Sequence, residues 1–216
     1  MRFGVRNPFL FAMLCIMMAL LVPGTGKAEN YFGGMGGYVL PNEFSDVRSS
    51  GDVPGVPLGN AGLGNSAMAG GKLGFYLADH SWLGFETEGY FTNPEFEPFV
   101  SEGLDAHLRV ITWGINALIR YPGKRFQPYL GAGVGLFFAN LDTTLPGLSF
   151  SDDWVPGLNA LAGIRSFVTD SVSLFAEYKF NYATFDLDTT IFGINLGFKG
   201  NYSANIIAGG ISFHIN

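Results

Sequence analysis

The sequence is poor in cysteine and in charge. One Cys occurs among 216 residues, and Asp, Glu, Lys and Arg together make up only 14% of the chain. A single Cys excludes a disulfide-stapled scaffold, because it has no partner within the chain. The low charge and the 15% aromatic content exclude a disordered acidic protein, which needs many charges and few aromatic residues. A net charge of -6 argues against nucleic acid as a partner.

Glycine, in contrast, is abundant. The chain has 31 glycines, about twice the share of an average protein. Each glycine costs about 1 kcal/mol relative to alanine inside a helix. A helical bundle is therefore not expected, and a fold built from strands and turns is favoured.

The first 28 residues have the pattern of a secretory signal peptide. Arg2 and Arg6 give a basic start, Phe9 to Val22 is an almost unbroken apolar run, and small residues at Gly26 and Ala28 precede the expected cleavage point. The alternative is a membrane anchor, but the run is shorter than the ~20 residues that a helix needs to cross a bilayer. Residues 1–28 are predicted to be a cleaved signal peptide.

The predicted mature chain, residues 29–216, has no Cys and keeps all 18 acidic residues of the sequence. Three of the 12 basic residues lie in the signal peptide, so its net charge is more negative than that of the full chain. It contains no apolar run long enough for a membrane-spanning helix. If it enters a membrane, it must do so as strands that close on themselves, because lipid offers no partners for free backbone groups.

Eight segments of this region alternate between apolar and polar residues, as strands of an outer-membrane barrel do. Ten residues at about 3.3 Å each, tilted by about 40°, rise about 25 Å, which matches the apolar band of such barrels. The segments lie near residues 30–40, 67–77, 82–91, 107–121, 126–140, 155–168, 172–185 and 202–215.

The connections between these segments alternate strictly in length. Residues 41–66, 92–106, 141–154 and 186–201 form long predicted loops, whereas residues 78–81, 122–125 and 169–171 form short turns. Long outer loops and short periplasmic turns are typical of up-and-down outer-membrane barrels. The fold class predicted is all-β, an eight-stranded antiparallel up-and-down transmembrane β-barrel with both termini on the periplasmic side.

Alternate residues of a strand point to opposite faces of the sheet. Glu86 and Glu88 share one face of a predicted strand, and Glu177 and Lys179 share one face of another. The opposite faces are apolar and must meet lipid, because a basic residue facing lipid at the midplane costs about 2–4 kcal/mol. The predicted interior cluster comprises Lys72, Glu86, Glu88, Arg120, Arg165, Glu177 and Lys179.

Such an interior has two interpretations, a plug or an ion pathway. An eight-stranded barrel encloses a space that side chains just fill, and buried charges of both signs are expected to pair. The mixed signs therefore favour a plug, since a selectivity lining would carry one sign.

Glycines and aromatic residues complete the pattern. Seven glycines are predicted to face inward and leave room for long side chains, namely Gly34, Gly36, Gly70, Gly74, Gly131, Gly133 and Gly135. Interfacial aromatic girdles are predicted from Tyr76, Trp82, Tyr121, Tyr129, Trp154, Tyr178, Tyr182 and Phe213.

Several motifs resemble the small eight-stranded outer-membrane β-barrel proteins, the OmpA/OmpX-like and opacity-type surface antigens. They are the Tyr-Phe-Gly-Gly opening at residues 31–34, the glycine-rich run at 127–135, the alternating segment at 175–180 and the end at 209–216. In that end, Gly210, Phe213 and Ile215 resemble the C-terminal signal that the barrel-assembly machinery reads. The chain ends in Asn216 rather than Phe, which departs from the family pattern.

The resemblance implies an integral protein of the bacterial outer membrane with a structural or surface-interaction role. It implies contact with outer-membrane lipid and lipopolysaccharide, and with periplasmic chaperones during assembly; it leaves any extracellular partner unidentified. The alternatives are a narrow porin-like channel, a conduit for hydrophobic solutes and, more remotely, a lipid A-modifying acyl hydrolase. Some barrels of this size are such enzymes.

The sequence does not favour an enzyme. An acyl hydrolase needs a nucleophile, a base and an orienting group held together. Of the three histidines of the mature chain, His214 shares an inward face with Ser212 but has no evident third partner, and His80 and His107 lack such a setting. No catalytic residue, cofactor site or metal site is predicted.

Overall fold

The computed structural model describes residues 29–52, 54–95, 106–143, 149–191 and 194–215. The predicted signal peptide, residues 1–28, lies outside them. Within the described ranges, no helix is long and apolar enough to cross a membrane. The described strands are β1 Glu29–Pro41, β2 Phe44–Gly51, β3 Pro57–Ala61, β4 Ser66–Tyr76, β5 Leu83–Thr92, β6 Ala106–Arg120, β7 Phe126–Thr143, β8 Ser149–Phe167, β9 Val172–Ile191 and β10 Ile194–Ile215.

Eight of these strands close into a barrel. Strands β1 and β4 to β10 each pair antiparallel with their neighbours in chain order. The barrel closes where β1 pairs with β10, from Asn30 opposite Ile215 to Pro41 opposite Ala204. The predicted eight-stranded antiparallel up-and-down barrel is therefore confirmed.

The two ends of the barrel differ in their connections. The first and last described residues, Glu29 and Ile215, lie at one end, here called the terminal end, and the opposite end is called the loop end. At the terminal end, short segments at residues 77–82, 121–125 and 168–171 join neighbouring strands, as predicted. Backbone hydrogen bonds close these turns, for example from the Leu83 amide to the His80 carbonyl at 2.8 Å.

The first predicted long loop, residues 41–66, contains a hairpin and is not a plain loop. Strand β2 continues the line of β1 along β10, with Ser45 opposite Asn201 and Gly51 opposite Leu196. Strand β3 then pairs antiparallel with β2 and leads towards β4. The Gly, Pro and Ser content of this segment is typical of a loop, and for that reason the sequence did not predict this two-stranded extension of the barrel wall.

The described residues of two further predicted loops, 141–154 and 186–201, are also strand. Strand β9 continues to Ile191 and β10 begins at Ile194. The alternation persists there, because Phe185 and Leu187 are buried while Asp186 between them is exposed. The prediction failed because the exposed polar residues resemble those of a loop. With 22 residues, β10 spans about 55 Å at the usual rise and tilt, about twice the apolar band.

The predicted direction of the glycines is correct on two strands and wrong on β1. A Cβ added to Gly70, Gly74, Gly131, Gly133 or Gly135 would meet interior groups, as predicted. Gly34 and Gly36 instead face outward and are exposed. The inward positions of β1 are the odd-numbered ones that hold the buried residues Tyr31, Met35 and Val39.

The aromatic prediction needs a similar correction. Six of the eight residues lie on the outer surface with exposed rings, namely Trp82, Tyr121, Trp154, Tyr178, Tyr182 and Phe213. Tyr76 and Tyr129 are buried inside the barrel. They occupy inward positions of β4 and β7, so they belong to the interior and not to a girdle.

Candidate functional site in the barrel interior

The interior is filled by four groups of side chains, arranged in layers from the terminal end to the loop end. The terminal network consists of Glu29, Arg120, Gln127, Ser173, Ser212 and His214. The tyrosine cage consists of Tyr31, Tyr76 and Tyr129 around Arg165. The ion-pair cluster consists of Lys72, Glu86, Glu88, Glu177 and Lys179. The apolar core occupies the loop-end half and includes Val39, Leu108, Phe137, Leu141 and Phe185.

The ion-pair cluster joins strands from opposite walls. Lys72 on β4 pairs with Glu177 on β9, and its Nζ lies 3.3 Å from Glu86 Oε2. Lys179 Nζ lies 2.9 Å from Glu177 Oε2 and 2.5 Å from Glu88 Oε2. These five side chains are buried almost completely. Alternation on each strand brings them inward, and pairing offsets the cost of removing the charges from water.

Neighbouring polar groups complete the cluster. The Tyr31 hydroxyl donates to Glu86 Oε2 at 2.7 Å, and the Tyr129 hydroxyl donates to Glu177 Oε1 at 2.5 Å. The Asn116 amide donates to Glu88 Oε1 at 3.0 Å. The two lysines and Arg165 balance the three glutamates in charge, so the middle of the barrel is neutral overall.

Arg165 is the most deeply buried of the predicted cluster residues, and it forms no ion pair with another described residue. Its guanidinium carbon lies 4.3 Å from the centre of the Tyr31 ring, 5.5 Å from Tyr129 and 5.6 Å from Tyr76. The described residues offer no hydrogen-bond acceptor to its nitrogens. Cation–π attraction to the three rings, together with the charge of Glu86, stabilises this guanidinium.

Arg120 lies in the terminal network, apart from the ion-pair cluster. Its guanidinium donates to both carboxylate oxygens of Glu29, at 2.9 and 2.6 Å, and to Gln127 Oε1 at 2.8 Å. It also stacks 3.5 Å above the Tyr76 ring. The sequence alone did not indicate Glu29, because it stands at the start of the first predicted strand, where no alternation precedes it.

The terminal network also supplies the partner that His214 lacked in the sequence. Its Nδ1 lies 2.9 Å from Glu29 Oε1, and its Nε2 lies 2.9 Å from the Ser173 hydroxyl. Ser173 in turn lies 2.7 Å from the Ser212 hydroxyl. A serine hydroxyl, a histidine ring and a carboxylate are thus linked one to the next, as in a catalytic triad. Ser173 and Ser212 are fully buried, however, so the same bonds also describe a closed network that ties β1 to β9 and β10.

The apolar core fills the loop-end half of the barrel. Val39, Leu108, Phe137, Leu141 and Phe185 have no exposed surface. The β2–β3 hairpin contributes to this core, since Phe44 and Val47 pack into it. An ion entering from the loop end would have to pass this layer, and apolar constrictions of this kind exclude ions and water.

The predicted assembly signal lies at the seam of the barrel. Phe213 and Ile215 are exposed on the outer surface of β10. Gly210 faces inward, and a Cβ there would lie 2.1 Å from the Gly34 carbonyl oxygen of β1. Only glycine therefore permits the close approach of the first and last strands at that position.

Comparisons with known proteins agree with this architecture. The family described as the outer membrane protein beta-barrel domain matches residues 9–199. No curated protein matches the sequence individually.

Three solved structures share the fold. The outer membrane protein OprG from Pseudomonas aeruginosa superposes with a TM-score of 0.64 at 15% identity, covering 89% of this chain and 98% of that one. A major outer membrane protein from Thermus thermophilus gives a TM-score of 0.56 at 11% identity over 87% and 99% of the two chains. Neisserial surface protein A gives 0.51 at 19% identity over 86% and 97%. At these identities the likeness establishes the fold alone.

Proposed function

The chain belongs to the outer membrane protein β-barrel domain family, and we propose that it serves in the bacterial outer membrane as a plugged barrel whose loop end contacts molecules outside the cell. The observation that carries the proposal is the filling of the interior. Charged side chains pair in the membrane-level half and apolar side chains close the loop-end half. A barrel so filled holds its shape and presents its extended loop-end wall to the exterior.

The proposed orientation places both termini in the periplasm. The short turns at the terminal end and the extended strands at the loop end support it, because outer-membrane barrels keep their short turns on the periplasmic side. Its partners would be outer-membrane lipid and lipopolysaccharide. During biogenesis they would be chaperones and the assembly machinery, which would read Gly210, Phe213 and Ile215.

Conductance in a planar bilayer tests the plug. Refolded mature protein should give no stable openings, whereas stepwise openings of reproducible size would contradict the proposal. Gel electrophoresis with and without boiling should accompany the measurement, because a folded barrel migrates differently from its boiled form. Absence of conductance then indicates a closed barrel and not an unfolded protein.

The apolar core favours one second candidate, a conduit for hydrophobic solutes. Its lining would suit an apolar molecule if the side chains moved aside. Proteoliposomes loaded with an apolar fluorescent dye distinguish the two functions. Release no faster than from protein-free liposomes supports the plug, and faster release that depends on folded protein supports the conduit.

We propose no catalytic role for the Ser173, His214 and Glu29 arrangement. A nucleophile must reach its substrate, and the Ser173 side chain lies within the barrel wall with no exposed surface. The network instead holds β1, β9 and β10 together near the point where the barrel closes.

A further inference from the structure

A polar pocket lies outside the barrel wall where the β2–β3 hairpin meets β9 and β10. Its volume is about 540 Å³, within the range of small-molecule sites. The register sets Arg48 of β2 directly opposite Lys199 of β10, and Lys199 directly opposite Asp186 of β9. All three are exposed on the outer surface. The β2–β3 hairpin, which the sequence did not predict, therefore forms one side of the pocket.

The two cations of the pocket stand side by side. Like charges directly opposite each other on neighbouring strands are destabilising. Among the described residues no salt bridge joins Arg48 or Lys199 to a carboxylate, so Asp186, the register neighbour of Lys199, offsets their repulsion only in part. An anionic group between them would turn this repulsion into two charge-assisted hydrogen bonds.

Other lining residues of the pocket offer a different chemistry. The Asn201 amide donates to Asp46 Oδ2 at 3.1 Å, and the Thr184 hydroxyl donates to Asn201 Oδ1 at 2.9 Å. Asp46 has a φ of 54°, which is uncommon for a residue other than glycine. Asp46 contributes an exposed carboxylate to the pocket lining, where it can accept hydrogen bonds from hydroxyl groups. The pocket thus combines phosphate-binding cations with sugar-binding acceptors.

The position of the pocket along the barrel axis indicates which molecules can reach it. Along β9, the exposed rings of Tyr178 and Tyr182 lie on the lipid-facing surface, and Thr184 and Asp186 follow on the same face. The four residue steps from Tyr182 to Asp186 rise about 10 Å along the barrel axis. Tyrosine is enriched at the level of lipid headgroups, so the pocket opens beside those headgroups.

We infer that this pocket binds the phosphorylated sugar headgroup of an outer-leaflet glycolipid, with the phosphate between Arg48 and Lys199 and the sugar hydroxyls against Asp46 and Asn201. The inference rests on the proposed orientation, in which the loop end faces the outer leaflet. The carboxylates of Asp46 and Asp186 balance Arg48 and Lys199, so the pocket is neutral overall, which suits a ligand with both hydroxyls and phosphate better than a bare anion.

Native mass spectrometry of the refolded mature protein, titrated with diphosphorylated lipid A in detergent, tests the inference. The double variant Arg48→Gln/Lys199→Gln should bind at least about tenfold more weakly than the wild type, because two charge-assisted contacts are lost. The matched control is Lys124→Gln/Arg125→Gln, which removes two exposed cations from the terminal end. The control should bind as the wild type does.

Two further arms identify the ligand group. Lipid A stripped of its phosphates should lose affinity to the same degree as the double variant, and inorganic phosphate alone should bind far more weakly than lipid A. Equal binding by the wild type and the double variant would overturn the inference, and so would equal affinity for free phosphate. Bilayer conductance of the same variants separates this failure from that of the plug, because neither substitution touches the interior.

Discussion

The two halves of the barrel interior are filled in opposite ways. The half towards the terminal end contains ion pairs and hydrogen bonds, whereas the half towards the loop end contains apolar side chains. Directional contacts require a definite partner at a definite register, while apolar contacts require only volume and shape. The polar half therefore specifies how opposite walls face each other, and the apolar half closes the barrel with more tolerance.

The largest effect is expected from Glu177→Gln in the polar half. Glu177 contacts both Lys72 and Lys179, and removal of its charge leaves two buried ammonium groups undercompensated. The free energy of unfolding should fall by about 3–5 kcal/mol, the usual cost of breaking a buried ion pair. Urea titration, followed by the mobility of folded and unfolded forms on gels, measures it.

The matched control for this variant is Asp170→Asn, which removes an exposed carboxylate from a turn at the terminal end. It should change the urea midpoint little. If Glu177→Gln shifts the midpoint no more than the control does, the cluster does not stabilise the barrel and its plug role loses its basis.

A smaller effect is expected from Leu108→Ala in the apolar half. Leu108 is fully buried, and its truncation should cost about 2–4 kcal/mol through lost transfer energy and the cavity left behind. Leu108→Met keeps the volume and should cost less than about 1.5 kcal/mol. The same urea titration compares them. If Leu108→Met lost as much unfolding free energy as Glu177→Gln, the apolar half would be no more tolerant of substitution than the polar half.

Much of this arrangement could be predicted from the sequence, because period-2 alternation fixes which residues share a face. The placement of Glu86 and Glu88, or of Glu177 and Lys179, on one face needs no knowledge of neighbouring strands. The pairing of Lys72 with Glu177 does, since those residues lie on opposite walls. Closure of the barrel brings them together, and alternation within one strand carries no information about it.

The loop-end half was harder to predict for a different reason. The sequence around Phe185, Asp186 and Leu187 alternates as a strand does, but the exposed position there is polar and not apolar. The apolar outward residues that indicate a membrane strand therefore end before the strand itself ends. Likewise Glu29 joins His214 only through the closure of β1 on β10, which no spacing in the sequence reveals, whereas Ser173 reaches His214 across the neighbouring strands β9 and β10.

The glycines give a third test, because they face both inward and outward. A Cβ at Gly133 would lie 2.0 Å from the Ile115 carbonyl oxygen, whereas a Cβ at Gly34 would meet no atom within 4 Å. Gly133→Ala should therefore cost about 1–3 kcal/mol through overpacking, and Gly34→Ala should cost nothing measurable. Urea titration of the two variants checks this. Equal stability of the two would mean that the interior near Asn116 can shift to accept a methyl group.

The smallest effect is expected from Ser173→Ala in the terminal network. The hydroxyl bonds His214 and Ser212 in a buried site, so its removal should cost about 1 kcal/mol of unfolding free energy, the net value of a typical hydrogen bond. A fluorophosphonate that reacts with activated serines distinguishes a closing network from a catalytic triad. The folded wild type should remain unlabelled, because Ser173 is enclosed by the barrel wall. Labelling of the folded protein that disappears in both Ser173→Ala and His214→Gln would instead assign this network a hydrolytic role. It would also require an opening of the barrel wall beside Ser173, between β9 and one of its neighbours β8 or β10, through which a substrate enters.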